Sequence, residues 1–104
     1  MSRIEAIKAL LARSPQDVFL HYSLGMELAS AGESAAATDS FRRCIELDVQ
    51  YLPAYVEAGK TLRSAGEFAG AREIFSAGLE LAKAKGESHT ADYIRGQLEG
   101  LGEA

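Results

Sequence analysis

Apolar positions along this chain recur with helical spacing. Leu20, Leu24 and Leu28 lie four residues apart, so a helix places all three on one face. A second apolar stripe follows Gly32, and a comparable pair of stripes occurs further along. No segment shows the alternation of apolar and polar residues that is typical of a strand. The pattern therefore predicts an all-α protein.

The chain repeats itself at an offset of 34 residues, because the tetrapeptide Ser-Ala-Gly-Glu at 30–33 recurs at 64–67. The same offset relates a set of identical pairs: Gly25 and Gly59, Leu28 and Leu62, Ala35 and Ala69, Ala37 and Ala71, and Phe41 and Phe75. A fixed period of this length is typical of stacked helix pairs, in which neighbouring units share one core.

Glycine, proline and serine positions predict where the helices begin and end. Gly32 and Gly66 fall where a helix must end in a left-handed conformation. The dipeptide Ser14-Pro15 predicts an N-cap followed by proline at the first helical position. Ser34 is predicted to cap the next helix, and Pro53 fits the first turn of a helix that starts near Leu52.

These residues resemble the tetratricopeptide repeat (TPR) family. That family places a bulky residue and then Leu-Gly on helix A, and Ala, a bulky aromatic and a small residue on helix B. The matching slots of the first unit are held by His21, Leu24, Gly25, Leu28, Ala37, Phe41 and Cys44. Those of the second unit are held by Tyr55, Ala58, Gly59, Leu62, Ala71, Phe75 and Gly78.

The resemblance implies a right-handed helical solenoid of antiparallel helix pairs with about six helices. We expect one domain over 1–104, with an N-terminal helix at 1–14 and repeats at 18–51 and 52–85. A C-terminal capping helix is expected at 87–101. Its apolar stripe fits the helix A register only if two extra residues precede it. The apolar stripe consists of Ala91, Ile94, Leu98 and Leu101. The polar face predicted on the other side of the helix consists of Asp92, Arg95, Gln97 and Glu99.

Charge and composition exclude several classes of function. The 104-residue chain has a formal net charge of −4 and scattered acids, whereas a nucleic-acid interface needs a basic surface. The same charge disfavours anionic membranes, and no apolar run is long enough to span a bilayer. The single cysteine cannot form an internal disulfide, which fits a reducing compartment. A cytoplasmic location is the resulting expectation.

The candidate catalytic and metal-binding residues are better explained by packing. Cys44 could be a nucleophile, but its slot needs a small buried residue and holds Gly78 in the next unit. His21 and His89 could bind metal, but they lie two repeats apart, and His21 aligns with Tyr55. The sequence predicts no enzyme activity, no cofactor and no metal.

The family resemblance implies a concave groove lined by the A helices, which would bind a protein or peptide. The partner-binding residues predicted there are Phe19, Tyr22, Ser23, Met26, Val56, Lys60 and Arg63. One hypothesis is an adaptor whose groove takes a segment with apolar anchors and an acidic residue. The alternative is a structural protein in which another helix or a second copy of the chain, as in a homodimer, covers Phe19, Tyr22 and Met26. Lys60 and Arg63 could equally be ordinary solvated charges.

Chaperone adaptors of this family hold a carboxylate with Lys and Asn on helix A. Here the matching first-unit positions are Tyr22 and Met26, and Glu57 stands where the second unit would need Asn. The sequence therefore argues against that specialisation.

Overall fold

The computed structural model describes residues 1–102, and within them every regular element is an α-helix. The six helices are α1 (Arg3–Arg13), α2 (Val18–Ser30), α3 (Ser34–Leu47), α4 (Leu52–Ser64), α5 (Phe68–Ala84) and α6 (Ser88–Leu101). Each helix packs most closely on its neighbours in the chain, as stacked helix pairs do. The all-α repeat solenoid predicted from the sequence is confirmed.

The helices form two layers. Helix α2 contacts α4, and Arg63 of α4 reaches Gln97 of α6, so α2, α4 and α6 lie side by side. Helices α1, α3 and α5 form the other layer. We call the exposed surface of α2, α4 and α6 the inner face.

Three glycines end helices in the left-handed conformation. Gly32 and Gly66 have φ of 80° and 79°, as predicted, and Gly86 has φ of 70° after α5. After each one, the amide of the following glutamate donates to a carbonyl of the last helical turn at 2.9 Å. This six-to-one hydrogen bond is the Schellman arrangement, and it reverses the chain within three residues. The turn after α5 therefore has the same geometry as the turns inside the two repeats.

Two of the predicted N-caps were wrong. Asp17, rather than Ser14, caps α2: its Oδ1 accepts from the amide of Leu20 at 3.1 Å. Ser14 instead ends α1, because its amide donates to carbonyls of the last turn. Ser34 lies inside α3, after a Glu33 that makes no side-chain capping bond. Pro53 lies in the first turn of α4, as expected.

The core is organised by two aromatic rings that lie directly on glycines. Phe41 and Phe75 are fully buried. A Cβ added at Gly25 would lie 2.5 Å from the Phe41 ring, and one added at Gly59 would lie 2.5 Å from the Phe75 ring. No real Cβ approaches so closely, so each ring occupies the volume that a side chain on the facing A helix would need.

The 34-residue period breaks before the last helix. Helix α4 begins 34 residues after α2, whereas α6 begins 36 residues after α4. The extra length lies in α5, which has 17 residues against 14 in α3. Ala91, Ile94 and Leu101 are buried against the core, as the predicted stripe requires. Gln97 differs from its predicted exposed position, because it lies half-buried and bonds Arg63.

Replacing Gly25 with Ala should destabilise the protein by roughly 1–3 kcal/mol, because the new methyl group collides with the Phe41 ring. Gly96 is the matched control, since it is also helical and a Cβ there meets nothing within 4 Å. Gly96→Ala should stabilise by about 0.5–1 kcal/mol through helix propensity alone. Urea unfolding of both variants measures the two free energies. Equal effects at the two positions would contradict the ring-on-glycine contact.

Candidate functional site

An apolar patch lies on the part of the inner face that α2 contributes. We define the patch as Phe19, Tyr22 and Met26. Phe19 is 64% exposed and Met26 38% exposed. Tyr22 is only partly exposed: its ring lies 5.9 Å from the ring of Phe41 and 5.5 Å from that of Tyr51, between centroids. Phe19 and Met26 are therefore open to a partner, while Tyr22 connects the patch to the core.

Beside this patch, an open cleft of about 790 Å³ lies between α4 and α6 and the loops that precede them. It is lined by Asp48, Gln50, Tyr51, Leu52, Pro53, Val56, Glu57, Lys85, Glu87, His89, Thr90 and Tyr93. Of the predicted partner-binding residues, Val56 alone lines the cleft. Tyr51 joins the cleft to the apolar patch through its contact with Tyr22.

Sequence reasoning missed the part of the cleft that α6 contributes. Tyr93, which is 40% exposed, lines the cleft together with His89 and Thr90. The 36-residue offset between α4 and α6 relates Tyr93 to Glu57. If the repeat alignment is continued into α6 with two extra residues, Tyr93 takes the position that Glu57 has in α4, which places it on the inner face.

The two predicted cations of α4 are already engaged by other side chains. Lys60 Nζ lies 3.5 Å from Glu57 Oε1. Arg63 Nη1 donates to Gln97 Oε1 at 2.6 Å, and its guanidinium covers Gly100, where a Cβ would lie 3.1 Å from it. Arg63 thus joins α4 to α6 at the end of these helices opposite the cleft. Ser23, the last of the predicted set, is half-buried on α2.

Carboxylates set the electrostatics of the inner face. Burial raises the pKa of the Tyr22 hydroxyl, and the nearby charge of Glu57 raises it further. Burial is also the main reason that the pKa of Tyr51 is raised. Smaller contributions come from Cys44 and then from the carboxylates of Asp17 and Asp48. Both tyrosines are held in the neutral form, and both lie close to negative charge.

The aligned pair His21 and Tyr55 makes equivalent hydrogen bonds one repeat apart. His21 Nε2 donates to the carbonyl of Pro15 at 2.8 Å, and Tyr55 Oη donates to that of Val49 at 2.7 Å. Each bond ties an A helix to the loop that precedes it. In α6 the position 36 residues after Tyr55 is Ala91, which carries no hydroxyl. Lys85 instead donates to the carbonyl of Gln50 at 3.1 Å, linking the two loops at the mouth of the cleft.

Cys44 lies in the core, and its thiol faces the carbonyl of Val18 at 3.5 Å. Burial raises the pKa of this thiol to about 11. A nucleophilic cysteine needs a lowered thiol pKa and access to solvent.

Among residues 1–102, no three or more His, Cys, Asp or Glu side chains come together as a metal site. No helix in the same range is long and apolar enough to cross a membrane.

Comparison with known proteins agrees with the repeat. Residues 20–50 match the family model described as tetratricopeptide repeat. The TPR repeat-containing protein PA0015 of Pseudomonas aeruginosa is 32% identical over 84 residues, which cover 81% of this chain and 80% of that protein. The chain belongs to the tetratricopeptide repeat family.

Solved structures share the fold over nearly all of this chain. Protein BPP2914 from Bordetella parapertussis superimposes with a TM-score of 0.83 at 29% identity, over 97% of this chain and 88% of that one. A chain in a T3SS complex from Aeromonas hydrophila superimposes with a TM-score of 0.89 at 25% identity, over 94% of this chain and 66% of that one. TPR proteins are generally non-enzymatic scaffolds, and family membership supports a protein–protein interaction module.

Cys44 should react only when the TPR fold opens. With a pKa near 11, about 1 in 1,000 of the thiols is ionised at pH 8, and the sulfur is buried as well. Labelling with a disulfide reagent should therefore be slow in buffer and fast in denaturing urea. Rapid labelling of the native protein would show that the thiol is accessible.

Arg63→Ala should loosen α6, because it removes the bond that joins α4 to Gln97. We expect a loss of about 1–2 kcal/mol and faster amide hydrogen exchange confined to α6. Arg95→Ala is the control, since among residues 1–102 Arg95 bonds Asp92 alone, on the exposed surface of the same helix. If the amides of α6 exchange hydrogen at the same rate in the two variants, Arg63 does not stabilise the packing of α6.

Proposed function

We propose that this TPR domain binds an extended or helical segment of a partner protein along its inner face. The observation that carries the proposal is the continuity between the apolar patch and the cleft through Tyr22 and Tyr51. Apolar anchors of the segment occupy the patch, and the rest of the segment runs into the cleft. Main-chain groups of an extended segment would find polar partners at its rim, such as Gln50 and Thr90.

The exposure of the patch supports this function. Phe19 and Met26 do not contribute to the buried core, so folding alone does not explain large apolar side chains at both positions. Apolar surface next to a concave site is where a partner gains most affinity, because aromatic residues and methionine anchor interfaces. The family relative found in a T3SS complex gives independent support for a role in assembly with other proteins.

Self-association is the competing use of the same surface. Phe19 and Met26 would then be covered by a second copy of the chain, giving a homodimer. Light scattering across a wide concentration range separates the two functions. A monomeric molecular mass at all concentrations supports partner binding. A molecular mass that rises to that of a dimer at high concentration, and stays monomeric in the variant Phe19→Asp, supports the homodimer.

The double variant Phe19→Asp/Met26→Asp tests partner binding with little effect on folding, because both side chains are exposed. Peptides selected from a random display library on the native domain should bind this variant at least about tenfold more weakly, since two apolar anchors are lost. Leu10→Asp is the control, because Leu10 is 50% exposed but lies on α1, outside the inner face. Unchanged affinity in the double variant would refute the proposed site.

A further inference from the structure

We infer that the cleft between α4 and α6 selects a partner segment that presents an arginine or lysine beside an apolar residue. The inference rests on the proposed function and specifies the chemistry of the same site. It reverses the preference for an acidic segment that Lys60 and Arg63 suggested in the sequence.

The charged side chains that line the cleft are mostly acidic. Asp48, Glu57 and Glu87 contribute carboxylates, of which Glu57 is already paired with Lys60 at 3.5 Å, and Lys85 contributes an ammonium group. The imidazole of His89 also lies in the lining. A cation entering the cleft would therefore meet complementary charge, and an acidic residue would meet repulsion.

The basic groups near the cleft are held by partners within the domain. Lys85 Nζ donates to the carbonyl of Gln50, and Lys60 pairs with Glu57. Arg63 lies at the opposite end of α4, where it bonds Gln97. Lys85 keeps its charge and two further N–H donors, so an acidic ligand could still pair with it, whereas the charge of Lys60 is already offset by Glu57. In contrast, Glu87 begins α6 without a side-chain capping bond, and Asp48 uses Oδ1 to accept from the Gln50 amide. Glu87 and the second oxygen of Asp48 are charged acceptors that the cleft offers to a ligand.

Aromatic rings complete a site for a cation with an apolar stem. Tyr51 and Tyr93 line the same cleft as the carboxylates, and Val56 and Leu52 supply aliphatic surface. A guanidinium or ammonium gains from the face of an aromatic ring as well as from a carboxylate. The methylene stem of arginine or lysine can cover apolar surface while its charge remains at the rim. The cleft therefore offers carboxylates, aromatic rings and aliphatic surface together. An acidic side chain could not use this combination.

Unbiased peptide selection followed by matched synthetic peptides tests the inference. Ligands are selected from a random peptide display library on the 104-residue chain. One representative ligand is then synthesised in three forms, with arginine, with its uncharged isostere citrulline, or with glutamate at the enriched position. The variant Asp48→Asn/Glu87→Gln removes two cleft charges, and the oxygen of the new side-chain amide can still accept from the backbone N–H of Gln50. The variant Glu46→Gln/Glu80→Gln is the matched control, because it removes two carboxylates paired with Arg43 and Lys83 on α3 and α5. Circular dichroism verifies that both variants remain folded.

We expect enriched ligands to carry arginine or lysine next to an apolar residue. Citrulline should weaken binding by about fivefold or more, and this preference should disappear in Asp48→Asn/Glu87→Gln but persist in the control. Enrichment of acidic or uncharged ligands, or an arginine preference that survives loss of both carboxylates, would overturn the inference and leave the proposed function standing. If no ligand binds the native domain better than it binds Phe19→Asp/Met26→Asp, both are overturned.

Discussion

The contact between an aromatic ring and a bare glycine backbone is the constraint on which this fold depends. Phe41 covers Gly25, and Phe75 covers Gly59, at a distance that leaves no room for a side chain. Because ring and glycine lie on the two helices of one pair, the contact fixes how closely those helices approach. It also constrains their rotation, because the glycine must face the ring on the paired helix. On the same helix, Phe19 and Met26 of the apolar patch remain exposed.

The break in the period lies next to the cleft between α4 and α6. Helix α5 is longer than α3, and Gly86 ends it with the turn otherwise found inside a repeat. The loop before α6 therefore lacks the side-chain tether that His21 and Tyr55 provide before α2 and α4. Helix α6 is held instead by its buried stripe and by Arg63 at the far end. The cleft lies between the N-terminal parts of α4 and α6.

Charge on this surface depends on which side chains have partners within the domain. Lys60 and Arg63 suggest a basic groove when they are considered by themselves. In the folded domain Glu57 and Gln97 engage them, and the groups lining the cleft are mainly carboxylates. An exposed ion pair contributes little to stability, but it removes a charge from the set available to a ligand. The net character of a binding surface therefore follows from its unengaged groups.

The sequence alone was enough to establish the period, the helix pairs, the left-handed turns and the small residues of the core, because these depend on local spacing and on slots that recur. It also indicated that Cys44 and His21 serve packing, since their equivalents in the next unit are Gly78 and Tyr55. The folded chain was needed to establish that Tyr93 joins the inner face, that Arg63 is a bridge between helices and that the cleft is acidic. Those properties depend on contacts between residues far apart in the chain and on an interrupted register, which a regular 34-residue pattern does not encode.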